Sequence, residues 1–245
     1  MPRVPILCYH HVARRPPGTR LGVLYVEPGR FERQLWAMRR LGLRGVGISD
    51  GLRHLGGGAR GNQVVLTFDD GYLDTLTDAA PLLARYGFRA TLYVVSDRVG
   101  GHNAWDDGHP GERQPLLARE QIGRWLEAGM EIASHSRTHP RLPEIDDAEA
   151  ASEIADSRAA LQREFGAPVD DFAYPFGVFN ARTVDLVRRA GYRSAVTTQP
   201  GTARGGDDPL RLPRLIVDGG RGLPRFLLQV ATPWDDLRAG RYARS

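Results

Sequence analysis

One unit recurs along the chain: an amphipathic stretch, a glycine, an apolar residue and then a strand-like run. Leu41-Gly42-Leu43, Tyr86-Gly87-Phe88, Ala128-Gly129-Met130 and Ala190-Gly191-Tyr192 each mark such a junction. In residues 30–41 the apolar Phe31, Leu35, Met38 and Leu41 recur at helical spacing, and Gly42 supplies the left-handed residue that commonly stops a helix. Further helices are predicted over residues 73–86, 119–128, 147–165 with Gly166 beyond, and 181–190 behind an Asn180 cap. Strand-like runs include Ile6-Leu7-Cys8-Tyr9, Val64-Val65-Leu66 and residues 90–95. Strands that alternate with helices need long crossovers, so the strands are expected to be parallel and the domain to be α/β and barrel-like.

At 245 residues the chain can bury one substantial core, and no linker divides it. Residues 1–221 are read as one domain, with 222–245 a C-terminal helix (224–231) and tail packed on it or trailing from it. Gly56 to Gly61 lacks a preceding strand and a Gly-Lys-Ser ending, so it reads as a flexible connection and not a phosphate loop. The net charge of +4 comes from 33 basic residues that are all arginine. They are scattered among acids, which argues against a nucleic-acid partner but is compatible with an anionic lipid-linked or phosphorylated sugar. Cys8 stands alone, in an apolar run, so no internal disulfide can form and a buried thiol is expected. With no signal-peptide apolar region and no run of 18 apolar residues, no transmembrane segment is expected and the protein is placed in the cytoplasm; a preceding leader would make it secreted. Nothing in the residues fixes an oligomeric state.

Two short strings carry the chemistry. Thr67-Phe68-Asp69-Asp70-Gly71 follows the buried run 64–66, so both carboxylates emerge at the C-terminal end of a strand, where α/β folds place their sites. His135-Ser136-Arg137-Thr138-His139 follows Glu131-Ile132-Ala133-Ser134 in a similar setting, and its i, i+4 histidines would share one face of a helical turn, roughly 5–6 Å apart at Cβ. Two imidazoles and one carboxylate make a three-ligand zinc set with an open position for water or substrate. Read singly, Asp-Asp-Gly is a turn and the histidines a surface pair; the strand context of both strings favours a site.

With Phe172-Ala173-Tyr174-Pro175-Phe176-Gly177 as a third string in the same order, the chain resembles the NodB-type polysaccharide deacetylases, carbohydrate esterase family four. The resemblance runs from Pro5 to about Val217, and it implies an incomplete, distorted (β/α) barrel of about seven parallel strands. It also implies that Asp70, His135 and His139 hold one divalent metal ion, zinc first and cobalt or nickel as alternatives, with Asp69 as general base. Ser136 would support the metal ligands. Tyr174, Pro175 and Phe176 would face substrate, with the Phe176 N–H as oxyanion donor. An uncoordinated carboxylate beside a metal-activated water is also what physical reasoning requires of a base.

The chain departs from the commonest pattern of that family in two places. Ala173 stands where an arginine usually partners the base, and Arg214 is nominated to reach Asp69 instead, the alternative being a surface arginine. No late Leu-x-His string exists: Val217 occupies the histidine position and no histidine follows His139. His10 is therefore nominated as general acid, delivered by the strand 6–9, as in the branch that deacetylates poly-N-acetylglucosamine. His11 is the runner-up, because strand neighbours point to opposite faces, and is otherwise read, like Ser136, as a supporting residue behind the site. The segment 100–115, with His102, Trp105, Asp106, Asp107, His109 and Glu112, suits a loop beside a sugar, and Trp105 either stacks on a pyranose or packs in the core.

The expected activity is metal-dependent hydrolysis of the N-acetyl group of an amino sugar, in a glycan or glycan precursor, with release of acetate. The alternatives are a deformylase or deacetylase of a small or lipid-linked amino sugar, a sugar-binding member without catalysis, and a glycosidase. A glycosidase needs carboxylates about 5–9.5 Å apart on opposite sides of the bond, which adjacent residues do not readily provide.

Overall fold

The computed structural model describes residues 2–58, 61–107 and 113–232. His109, Glu112 and the tail beyond 232 lie outside them. Strands β1 (Arg3–Val4), β2 (Ile6–Tyr9), β3 (Arg44–Val46), β4 (Gln63–Phe68), β5 (Thr91–Val94), β6 (Glu131–Ser134), β7 (Asp171–Ala173), β8 (Ser194–Val196), β9 (Ala203–Arg204) and β10 (Leu215–Ile216) alternate with helices α1 (Pro28–Arg40), α2 (Ile48–Leu55), α3 (Ala80–Tyr86), α4 (Arg119–Glu127), α5 (Asp147–Phe165), α6 (Ala181–Arg189) and α7 (Leu223–Ala231). Seven strands run in the order β10-β2-β4-β5-β6-β7-β8, and β3 adds to the first half of β4. Every pairing in this sheet is parallel. The result is the curled, incomplete (β/α) barrel expected.

Helices cover the outside, so β2, β4 and β5 are buried along their whole length and consist mainly of continuous apolar residues. Parity sorts the side chains. Leu7, Tyr9, Val64, Leu66 and Phe68 join the layer beneath the helices, while Ile6, Val65, Tyr93, Ala133, Ala173 and Val196 fill the barrel. Between β8 and β10 no strand pair closes the ring. The gap is crossed by the segment before β10, where the Thr197 N–H donates to the Leu212 carbonyl at 2.9 Å and the Arg214 N–H to that of Gln199 at 3.0 Å. At the opposite end β1 and β9 form a two-stranded antiparallel plug.

The recurring glycines do what their position requires: Gly42, Gly87, Gly129 and Gly191 have φ of 71°, 67°, 76° and 81°, reversing the chain from helix to strand. One predicted helix differs. Residues 73–86 contain a π-helical turn, Thr75–Ala79, before α3 begins. Pro81 has no N–H to offer the preceding turn, and a wider turn there absorbs the missing bond. α7 packs on α1, placing Phe226 and Val230 in the outer core. No helix among the described residues is long and apolar enough to cross a membrane.

Candidate metal centre and active site

Parity along β4 carries Val65, Thr67 and then Asp69 toward the barrel mouth, and along β2 it carries Ile6, Cys8 and His10 to the same place. Asp69 is buried and lies in the fork of Arg214, whose Nη1 and Nη2 donate to its two oxygens at 2.7 and 2.6 Å. Arg214 is 0% exposed, so the alternative of a surface arginine is set aside. Its other donors are used as well, Nε on the Thr197 carbonyl at 2.9 Å and Nη1 on Thr67 Oγ1 at 3.1 Å. Burial alone would raise the Asp69 carboxyl, but the Arg214 charge and hydrogen bonds outweigh it and hold the group below the usual carboxylate range. The Cys8 thiol, pushed well up by burial, donates to Asp69 Oδ2 at 3.5 Å.

The next residue faces a different set of groups. Asp70 Oδ1 lies 3.3 Å from His135 Nε2 and 3.4 Å from His139 Nε2. One ligand atom from each of the three residues falls within 4.8 Å of the others. His135 is oriented by its Nδ1, 2.8 Å from the Ala173 carbonyl, which leaves Nε2 for an ion. Burial lowers the His139 pKa to about 3, keeping that ring neutral as a ligand must be. In His135 burial is outweighed by the nearby Asp70 and Asp69 carboxylates, and its pKa rises. Asp70 Oδ1 is buried without a hydrogen-bond partner, an orphaned acceptor that a cation would satisfy. The donor set and this orphaned oxygen fit one divalent ion.

His135 and His139 do not share a helical turn. They flank an irregular loop after β6 in which Ser136 and His139 have φ of 64° and 69°, and the loop folds back to bring the rings 4.8 Å apart. Ser136 supports it by accepting the His139 N–H at 3.0 Å. The non-glycine residues with left-handed φ among the described residues are Asp70, Ser136, His139 and Phe176, all at this site. Each such residue costs on the order of 1–3 kcal/mol, and strain of this kind concentrates at functional sites.

A cleft of about 350 Å³ opens above, lined on one side by His10 with Leu21, Leu24 and Ile216, and on the other by Trp105, Arg141 and Phe176. Trp105 and Phe176 pack on His139, with ring centroids 4.3 and 4.5 Å away. Phe176 is 41% exposed and carries the Arg141 guanidinium over its ring at 4.6 Å. His10 borders the cleft with a ring nitrogen within 4.8 Å of an Asp69 oxygen; burial lowers its pKa, partly offset by Asp70 and Asp69.

Three nominations are corrected. Tyr174 is fully buried on the outer face of the sheet, donates its hydroxyl to the Leu210 carbonyl at 3.0 Å and does not line the cleft. Pro175 is also buried and only shapes the turn that carries Phe176. His11 does not line the cleft as a runner-up acid would and takes the supporting place instead: it is stacked against Tyr25 and Tyr72 at 4.0 and 3.7 Å and bonded through Nδ1 to Asp74 at 2.7 Å. It backs Tyr72, a cleft residue that the sequence reading missed although it directly follows Gly71. Asp106, in the segment read as a loop beside the sugar, lines the cleft with Trp105; Arg141 and Thr198 also line it and were missed, Arg141, two residues past His139, being the more readily foreseen.

The polysaccharide deacetylase family profile matches residues 56–195, the stretch that holds both Asp-Asp and the histidine pair. The chain belongs to that family. YxkH of Bacillus subtilis is 31% identical over 157 residues, covering 64% of this chain and 52% of that one. The poly-β-1,6-N-acetyl-D-glucosamine N-deacetylase of Staphylococcus epidermidis is 23% identical over 163 residues, covering 63% and 54%. The chain thus spans about half the length of the curated relatives it matches. The Streptococcus pyogenes deacetylase PplD, solved with acetate, superposes with a TM-score of 0.82 at 27% identity, over 95% of this chain and 100% of that one.

Proposed function

We propose that this polysaccharide deacetylase family member is a metal-dependent N-deacetylase that hydrolyses the N-acetyl group of amino sugars in a glycan or glycan precursor. The observation that carries this reading is the division of labour between adjacent carboxylates: Asp70 meets two imidazoles, whereas Asp69 meets a buried guanidinium. A zinc ion, or cobalt or nickel, held by Asp70, His135 and His139 would supply a Lewis acid that acidifies water and polarises the acyl oxygen. Asp69, kept ionised by Arg214, accepts the proton released as water oxygen bonds to the acyl carbon. The Phe176 N–H is assigned to the carbonyl oxygen as it gains charge. His10 protonates the amine nitrogen as the C–N bond breaks, leaving acetate and a free amino sugar. Its closeness to Asp69 allows the proton taken at the base to be relayed to it. Trp105 offers an aromatic face to the sugar ring, beside Phe176 and Arg141 on the cleft wall.

The test is acetate and formate release from chitooligosaccharides, β-1,6-linked N-acetylglucosamine oligomers, peptidoglycan fragments and nucleotide-linked sugars, with zinc, cobalt or nickel. The expected result is acetate matched by new amines, stopped by a chelator and restored by metal. Sugar binding without either product would favour a non-catalytic member, and new reducing ends a glycosidase. Changing His10 to Ala is expected to lower kcat on the order of a hundredfold with zinc content unchanged; unimpaired turnover would remove His10 from the mechanism.

A further inference from the structure

The loop between the two histidines is strained at both Ser136 and His139, and its conformation before any ion arrives must be held by the protein. One group outside the site grips the backbone between the two histidines. Glu153 lies on the inner face of α5 and is only 6% exposed. Its Oε2 accepts the backbone N–H groups of Arg137 and Thr138, each at 2.9 Å, and its Oε1 accepts the Thr138 hydroxyl at 2.7 Å. A buried carboxylate is costly unless hydrogen-bonded, and here all three bonds go to the residues between the metal-binding histidines. Other ties hold the loop as well: the Ser96 and Asp97 N–H groups reach the carbonyls of Ser136 and Arg137 at 3.1 and 2.9 Å, the Arg137 guanidinium donates to Asp97 Oδ2 at 3.0 and 2.8 Å and to Ser152 Oγ at 3.0 Å, and Ser136 Oγ accepts the His139 N–H; among them Glu153 alone takes two adjacent backbone N–H groups between the histidines.

We infer that Glu153 is a positioning residue of the metal centre. Its carboxylate clamps the Arg137-Thr138 backbone and thereby sets the separation and aim of His135 and His139. This assignment rests on the metal centre proposed above, but it makes a separate claim. Reach, not charge, is the property that matters. A glutamine has the same length; its amide oxygen accepts both N–H groups, and its NH₂ donates to the Thr138 hydroxyl once that hydroxyl turns. An aspartate keeps the charge but falls one methylene short.

The test is the zinc affinity of wild type, Glu153→Gln, Glu153→Asp and Glu153→Ala, measured by competition with a chromophoric chelator, alongside melting of the zinc-free proteins. Groups that orient metal ligands from behind typically contribute 10–100-fold in metal affinity. Glu153→Gln is expected within about threefold of wild type, whereas Glu153→Asp and Glu153→Ala should each bind zinc at least about tenfold more weakly. Asp171→Asn is the control, because Asp171 is a buried carboxylate bonded to Arg193 and Ser194 at the far end of the barrel. It should lower melting and leave zinc affinity unchanged. Equal zinc affinity in all the Glu153 variants, with only melting shifted, would overturn the proposal. So would the reverse order, with aspartate tolerated and glutamine not. Should Glu153→Ala fail to fold, the Gln and Asp variants decide alone. Failure of the wild type to bind zinc would instead overturn the metal centre itself.

Discussion

Changing Asp69 to Asn will lower turnover on the order of a thousandfold while leaving zinc content unchanged. General base catalysis by a positioned carboxylate contributes typically 10²–10⁴-fold, and an amide has no comparable affinity for the proton of the attacking water. The substitution also presents an NH₂ group to one arm of the Arg214 fork, which now donates at 2.7 and 2.6 Å to two carboxylate oxygens. Asp70, His135 and His139 keep their positions, because none of their contacts pass through the Asp69 side chain. Steady-state kinetics and zinc stoichiometry on the same preparation check this. Turnover within tenfold of wild type, or zinc lost in parallel, would show that the two carboxylates do not divide base and ligand between them.

Arg214→Met will reduce both stability and activity. Breaking a buried ion pair by removing one partner leaves an uncompensated charge and costs about 3–5 kcal/mol. For a chain of this size each kcal/mol moves the melting temperature by roughly 2–4 °C, so a fall of about 6–20 °C is expected. With the guanidinium gone, burial is free to raise the Asp69 carboxyl and protonate the base. Replacing both partners with apolar residues removes the stranded charge, so Asp69→Leu combined with Arg214→Met will recover part of the stability while remaining inactive. Thermal denaturation of the three variants reads this directly. A single Arg214→Met variant that melts within 2 °C of wild type would mean that the guanidinium does not hold Asp69.

The sequence carried the local parts of this site better than the long-range ones. Asp69 and Asp70 were legible because an apolar run announces the strand and parity then fixes which of two neighbours enters the barrel. The same parity separates His10 from His11 and places Ile216, paired with Cys8, on the cleft wall. It was also available at β7, where Phe172 faces the helices and Ala173 the barrel, so that Tyr174 had to face outward. Reading the third string as a unit hid this. The i, i+4 spacing of His135 and His139 fits a helical turn and a folded-back loop equally well. What decides between them is Ser136 and the buried Glu153, fourteen residues beyond His139 and without a local signal of its own. Arg214 was nominated for Asp69 only because Ala173 leaves the usual arginine missing; its approach across a separation of 145 residues depends on how the barrel closes, which no window of sequence contains. β1, β9 and β10 are two residues long, too short for any periodicity to reveal.

The most direct test of the central claim is an anomalous difference map at the zinc absorption edge from crystals grown with zinc. Among the described residues two clusters could hold an ion, Asp70-His135-His139 and Cys8-His10-Asp69. A single strong peak among Asp70, His135 and His139, with Asp69 still in the fork of Arg214, is the predicted result. A peak on Cys8, His10 and Asp69, or none at either cluster, would contradict it.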